Sequence, residues 1–457
     1  MLLNTECGKD FFGYIKKNLC FCKSVPKEWA VEANPGLISP ATPHFNRSNF
    51  FDEFPTAENV ENLLKEYTNP ENYVALLNFH FENSNYGAVL TAYALNKFLN
   101  DKGYFAFNID YHPQWEPPCA DSSPFEDFRT RYLPRTHRCA TWSELKDLNK
   151  VFGTFVVGSD QVFRHQFTDG ENGIYYLQFV NDERKKIAYA ASFGFPYFEG
   201  QEEDCTMLNY LLHRFDALSV REKSGVDLIK KLTGLGSQHV LDPVFLLDKS
   251  EYIKLMSSIE SKDEIVSYVL NADVRQESTQ WASLTKDIRH GLTVEAWVET
   301  LHNAKTVITD SFHGTCFSVI FGTPFCVVVN PKSPVERIES LFEMLGLEKD
   351  KIVISHPGIS LDEILSKRIN PTDITETLEN IKRSSIKWLQ DAMDTPLQPK
   401  DALILELERN KKKLILDARI QRFVFKLVSS LTLGKMKKRA KAKVKNAKKL
   451  IKFYKQI

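Results

Sequence analysis

The sequence predicts an α/β protein built from two consecutive parallel-sheet units joined by a linker. Three observations carry this expectation. Apolar strand-like runs alternate with amphipathic helical stretches: "YVALLNFH" (73–80), "AVLTAYALNKFLND" (88–101) and "YFAFNIDY" (104–111) form a βαβ opening. Parallel strands with a right-handed crossover require helices layered on the sheet. The alternation pauses at residues 248–262 and restarts at "EIVSYVL" (264–270). Finally, nearly every strand candidate ends in a compact polar cluster, the edge where open parallel sheets bind ligands.

Taken in order, residues 1–72 are interrupted by Pro26, Pro35, Pro40, Pro43 and Pro55 and are expected to form an irregular extension. The first unit, 73–247, continues after its βαβ opening with strand candidates "GTFVVG" (153–158), "KKIAYAAS" (185–192), "DALSV" (216–220) and "SQHVLDPVFLL" (237–247). Residues 248–262 form a helix-like linker. In the second unit, 263–395, "TVEAWVETLHNA" (293–304) places Val294, Trp297, Val298 and Leu301 on one helical face. It lies between the strand candidates "EIVSYVL" and "KTVIT" (305–309), and "PFCVVVN" (324–330) follows. The span Asn271 to Leu292 leaves room for hardly more than one helix. Residues 396–457 close the chain as a basic amphipathic helical tail.

At 457 residues the chain can bury more than one core. Its eight cysteines include only one close pair, Cys20 and Cys22, and no second pair at metal-site spacing, so reduced, structural thiols are expected. Glu6 and Asp10 stand where a signal peptide would be basic and apolar, and no apolar run could span a bilayer, which predicts a cytoplasmic protein. The zero net charge conceals an asymmetry. Residues 409–457 hold 18 Lys/Arg against one acid, Asp417, giving +17, so residues 1–408 carry −17. An anionic partner of its own is therefore expected for the tail.

The polar clusters are Asn83-Ser84-Asn85 after the first strand and Gly158-Ser159-Asp160-Gln161 after "GTFVVG". Arg221-Glu222 follows "ALSV", and Asp310-Ser311-Phe312-His313-Gly314 follows "KTVIT". Ser311 is a plausible N-cap, which puts His313 in the first turn of a helix whose amides favour phosphate or carboxylate. Gly314 allows close backbone approach by a ligand. His313 taken alone is as compatible with local packing as with chemistry. Arginine at a strand end can fork an anion, but on the residues alone a surface pair with Glu222 is the default reading of Arg221. The "GSDQ" cluster suits sugar hydroxyls but also a simple helix cap. Asp242-Pro243 is a strand-end turn. Phosphate-loop, dinucleotide, zinc-protease and nucleophile-elbow motifs are all missing from the sequence.

Six blocks, "HFENSNYGAVLTAYALNKFLNDKG", "FVVGSDQVF", "KKIAYAASFG", "LSVREKSGVDLIKKLTG", "VLDPVFLL" and "VITDSFHGTCFSVIFGTPF", resemble the polysaccharide pyruvyl transferase family in order and spacing over residues 73–347. The resemblance implies a GT-B-like arrangement of two Rossmann-like domains around a cleft. It also implies transfer of a pyruvyl group from phosphoenolpyruvate to two hydroxyls of a surface polysaccharide or its lipid-linked precursor, forming a ketal. His313 matches the family's catalytic histidine and Arg221 a donor-binding arginine. Asn83 to Asn85 and Gly158 to Gln161 would face the acceptor or line the cleft. Some members carry an arginine two residues before the histidine, where this chain has Ser311. Ketal chemistry requires no metal, and phosphoenolpyruvate enters as co-substrate, so no cofactor is expected.

In the tail, Ile420, Phe423/Val424, Leu427 and Leu431 share one helical face. Met436, Ala440, Val444, Ala447, Ile451 and Tyr454 recur at steps of four and three. Lysine and arginine occupy the remaining faces. Such helices lie on anionic membranes, which predicts a peripheral protein on the inner face of the cytoplasmic membrane; nucleic acid is not the expected partner. Two other functions remain compatible with the residues. One is a nucleotide-sugar glycosyltransferase, for which Glu336 is the candidate ribose-binding carboxylate; the other is an inactive glycan-binding scaffold.

Overall fold

The computed structural model describes residues 19–20, 72–81, 84–112, 123–168, 173–277, 279–333, 335–397, 399, 402–431 and 434–456. The first sheet has the spatial order β1 (Leu19–Cys20), β4 (Arg135–Thr136), β3 (Phe105–Asn108), β2 (Tyr73–Leu77), β5 (Thr154–Val157), β6 (Lys185–Ala191), β7 (Ala217–Val220), β8 (Gln238–His239). All its pairings are parallel except β1 with β4. Every residue of β2 and β5 is buried, as expected where helices cover both faces of a parallel sheet. The second sheet is wholly parallel, in the order β10 (Lys286–Asp287), β9 (Ile265–Tyr268), β11 (Thr306–Thr309), β12 (Phe325–Val329), β13 (Ile352–Ile354).

Each sheet has a topological switch point, where successive strands begin to be added in the opposite direction. It falls between β2 and β5 in the first sheet and between β9 and β11 in the second. Helices splay apart at such points and leave a crevice beyond the carboxyl ends of the strands. The chain after β2 enters α1 (Tyr86–Asp101), and the chain after β11 enters α6 (Phe312–Phe321). The other long helices are α2 (Pro124–Tyr132), α3 (Glu202–Leu212), α4 (Lys223–Thr233), α5 (Val294–Asn303), α7 (Glu336–Leu345), α8 (Thr375–Asp394), α9 (Ala402–Leu431) and α10 (Gly434–Gln456).

The two units share one apolar core. Tyr86 of α1 stacks on Trp297 of α5 at 5.2 Å and 7°, and its hydroxyl donates to the Leu292 carbonyl. Val294, Trp297, Val298 and Leu301, the predicted stripe of α5, are all fully buried there. α8 follows the second sheet in sequence yet packs on the first: Trp388 lies against Tyr189 of β6, and Ser385 Oγ accepts from the Leu241 amide at 3.0 Å.

Three expectations need correction. The 271–292 span holds two short helices, Ala272–Glu277 and Thr279–Ala282, followed by β10. The second sheet thus keeps its edge strand. Both β10 residues are exposed, so no apolar run announced it. "SQHVLDPVFLL" is strand only at Gln238–His239; Pro243 cannot donate to a ladder and opens a 3₁₀ turn over Pro243–Phe245. Within the segment expected to be irregular, Leu19–Cys20 pairs antiparallel with β4.

Candidate active site

A cleft of about 570 Å³ lies between the two switch points. Its first-unit side includes Phe79, Asn85, Gly87, Asp160 and Gln161; its second-unit side includes Tyr268, Asn271, Ser311, His313 and Arg337. Two helix starts meet there. Asn85 Oδ1 caps α1 by accepting from the Ala88 amide at 3.0 Å, and Ser311 Oγ caps α6 by accepting from the Gly314 amide at 3.3 Å. First-turn amides have no intrahelical acceptor, so both ends carry partial positive charge. Asp310 ties the end of β11 to the end of β9: its two carboxylate oxygens accept from the Leu270 and Asn271 amides, each at 2.7 Å.

His313 sits in the first turn of α6, as its spacing from Ser311 requires, and is 7% exposed. Its Nε2 is 3.0 Å from Thr91 Oγ1, and Thr91 Oγ1 donates to Asp242 Oδ1 at 3.3 Å. With the one Thr91 proton assigned to Asp242, Thr91 must accept from His313, so Nε2 carries the imidazole proton. Nδ1 is then the basic nitrogen and has no protein partner among the described residues. It points at the first turn of α1, where a Cβ on Gly87 would lie 2.1 Å from it. Gly87 is therefore the residue that makes room for the imidazole.

Asp242 is the hub beneath this histidine. Its Oδ2 accepts from Ser159 Oγ at 2.7 Å and from Arg221 at 2.8 Å, and lies 3.7 Å from His313 Nε2. Burial by itself would raise this carboxyl, but His313, Arg221 and Ser159 outweigh it and hold the group well below the usual carboxylate range. Arg221 also donates to Asp160 Oδ1 at 3.0 Å, and its guanidinium lies 4.5 Å from the centre of the Phe312 ring. Its side chain is 0% exposed. Arg221 thus lies below the floor of the cleft with both terminal nitrogens committed to carboxylates.

The remaining predicted residues divide into two groups. Asn85, Asp160, Gln161, Ser311 and His313 line the cleft. Asp160 has φ 81°, a left-handed conformation that asparagine and aspartate tolerate better than most residues, and it turns its carboxylate toward Arg221. Ser159 is fully buried beneath the floor. Gly158 packs on Leu95 and Asn78, where a Cβ would be tight at 3.1 and 3.3 Å. Gly314 requires a correction: a Cβ there would meet Thr309 Oγ1 at 2.4 Å, so its lack of a side chain serves helix-to-strand packing rather than ligand approach. Ser84 is exposed and does not line the cleft, and Asn83 lies outside the described residues. Glu336 is not among the lining residues.

The residue that sequence reasoning missed is Arg337, in the first turn of α7. It lines the cleft, its Nε is buried without a partner, and no hydrogen bond or ion pair holds it among the described residues. Burial and the neighbouring Arg221 push its guanidinium down to about 10, against the opposing pull of Asp160 and Glu222. In the sequence it follows Glu336 in "SPVERIE", and no local pattern marks it as a cleft residue. Thr91 and Asp242 were also missed as partners of His313, because each lies far from it in sequence. Among the described residues, no cluster of three or more His, Cys, Asp or Glu side chains could hold a metal ion.

Two Rossmann-like α/β units meet at facing switch points, with a histidine and an arginine that has no partner among the described residues in the cleft between them. The chain belongs to the polysaccharide pyruvyl transferase family, whose model matches residues 85–333. No curated protein matches it. Similar solved structures include a functionally uncharacterised protein from Klebsiella pneumoniae, 15% identical with a TM-score of 0.34 over 63% of this chain and 94% of that one. Anabaena HepE in complex with UDP and glucose is 11% identical, with a TM-score of 0.42 over 70% and 97% of the two chains. UDP-GlcNAc 2-epimerase from Neisseria meningitidis, bound to UDP-GlcNAc, is 11% identical, with a TM-score of 0.36 over the same shares. At these values the likenesses say nothing about this chain's substrate.

Proposed function

We propose that this transferase moves a pyruvyl group from phosphoenolpyruvate onto two hydroxyls of a sugar, in a surface polysaccharide or its lipid-linked precursor, forming a ketal and releasing phosphate. The observation that carries this reading is Arg337: an unpaired, largely buried guanidinium that shares the cleft with two helix starts and His313. A buried cation without a partner is costly, and an anionic ligand removes that cost. A donor carrying both phosphate and carboxylate suits Arg337 together with the first-turn amides of α1 and α6.

The proton accounting is simple. One sugar hydroxyl adds to C2 of the enol while a proton is delivered to its methylene carbon. A second hydroxyl of the same sugar then displaces phosphate from C2. Of the two hydroxyl protons, one ends on the new methyl group and the other on phosphate. His313 Nδ1, open to the cleft, accepts a hydroxyl proton and returns it, while Thr91 and Asp242 hold the tautomer and stabilise the imidazolium. Arg221, the family's donor arginine by position, acts here through Asp242 and Asp160. Arg337 takes the direct contact with the donor. Carrying a lipid-linked acceptor would place the protein on the inner face of the cytoplasmic membrane.

Incubation of the full chain with phosphoenolpyruvate and candidate lipid-linked oligosaccharides tests this reading. The expected result is phosphate release matched by a product heavier by one pyruvyl ketal. Turnover with a nucleotide sugar, and none with phosphoenolpyruvate, would overturn it.

A further inference from the structure

The tail carries two apolar stripes, and the fold uses them differently. α9 and α10 pack along one another as a hairpin, and α10 is anchored on the body. Phe453 meets Tyr210 of α3 edge-on at 5.5 Å, Lys449 pairs with Asp204 at 2.7 Å, and Asn446 donates to Glu203 at 3.1 Å. Ala440, Ala447, Ile451 and Tyr454, four of the six residues of the α10 stripe, are buried. That stripe is spent on the protein itself.

The stripe of α9 is not. Leu416, Ile420, Phe423 and Leu427 follow one another at steps of four, three and four, and all are exposed, Phe423 at 70%. Lys412, Arg419 and Lys426, spaced seven apart and all exposed, form a row on the same helix beside it. Across the hairpin turn, Met436 is 62% exposed among Lys435, Lys437 and Lys438. No acid follows Asp417. An exposed apolar row flanked by cations matches the boundary between acyl chains and anionic headgroups. Among the described residues no helix is long and apolar enough to cross a membrane.

We infer that the α9 face of this hairpin docks on an anionic lipid surface, with Phe423 and Leu427 entering the acyl boundary and the Lys412–Arg419–Lys426 row in the headgroups. α10 serves as the strut that fixes this face to the first unit. The inference rests on the membrane placement proposed above and assigns it to one helix.

The test is co-sedimentation of the full chain with vesicles of phosphatidylglycerol and phosphatidylcholine in equal parts, and with phosphatidylcholine alone. Wild type is expected to bind the anionic vesicles and to release them at high salt. The F423D/L427D variant, and separately K412E/R419E/K426E, are expected to bind at least tenfold more weakly, with unchanged melting temperatures because all these residues are exposed. Vesicle binding equal to wild type in both variants would overturn the inference. So would a concentration-dependent dimer abolished by F423D/L427D, since a second copy would then cover the face. Turnover on a water-soluble acceptor separates the two proposals: a chain that binds vesicles but never releases phosphate defeats the reaction and leaves the docking surface standing.

Discussion

The two sheet edges that face each other across the cleft are built on opposite principles. The first-unit edge is nearly self-satisfied, with Ser159, Asp160, Arg221 and Asp242 bonded to one another and largely withdrawn from the cleft. The second-unit edge is left unspent: His313 Nδ1, Arg337 and the start of α6 have no full set of partners among the described residues. A saturated network can hold a geometry but cannot grip a ligand, whereas unpaired groups can grip but need something rigid behind them. The histidine spans the two, with one nitrogen in the network and the other in the cleft. Two arginines of the same chemistry therefore stand in different states: Arg221 is paired with two carboxylates, and Arg337 has no partner among the described residues.

The largest expected effect falls on the group that joins the edges. His313→Ala should lower turnover by roughly 10²- to 10⁴-fold, the usual contribution of a positioned acid–base, and should also lower the melting temperature, because it empties a buried position and removes a partner of Asp242. Steady-state phosphate release would check it, and near-normal turnover would remove His313 from the chemistry. Next comes the contrast between the arginines. Arg221→Met leaves Asp242 and Asp160 buried without their cation and should cost about 3–5 kcal/mol in urea unfolding. Arg337→Met removes a cation the protein does not pair; it should leave stability equal or higher while raising the KM for phosphoenolpyruvate. If both substitutions destabilise equally, the contrast between the edges fails.

Acid should sharpen the same comparison. Asp242 is held below its ordinary value by His313, Arg221 and Ser159 despite burial, so its stabilising contribution is fully present at neutral pH. That contribution is lost as pH falls below about 4, the ordinary carboxylate value, toward its depressed folded value. Asp242→Asn should flatten the acid limb of the stability–pH curve and slow turnover with a changed pH profile. An acid limb identical to wild type would show that Asp242 is not linked to folding. The smallest expected effect on turnover is at Gly87. Gly87→Ala would put a methyl group 2.1 Å from His313 Nδ1, so the buried imidazole must shift; the change should lower kcat severalfold and destabilise the fold by about 1–3 kcal/mol, as overpacking does. Reduced turnover with intact donor binding is the expected outcome.

The sequence by itself determined much of this protein. Hydrophobic periodicity located β2, α1, β3, β5, β6, β7, β9, α5, β11 and β12, because buried strands and amphipathic helices must show their period wherever water is excluded on one or both faces. Ser311 and the residues after it placed His313 in a first turn, because capping is local chemistry. A strand too short and exposed to carry a period, such as β10, could not be seen this way, and β8 was covered only within a longer run that extends into the following 3₁₀ turn. Tertiary structure alone decided how the site is wired. Thr91, Asp242, Arg221 and Asp160 converge from four separate segments. Arg221 and Arg337, each beside a glutamate in sequence, differ only in which carboxylates the fold brings to them. The tail shows the same division. Its stripes and charge were legible as periodicity, but only packing against α3 determined that α10 is buried and α9 exposed, because partner choice depends on contacts that adjacent residues do not encode.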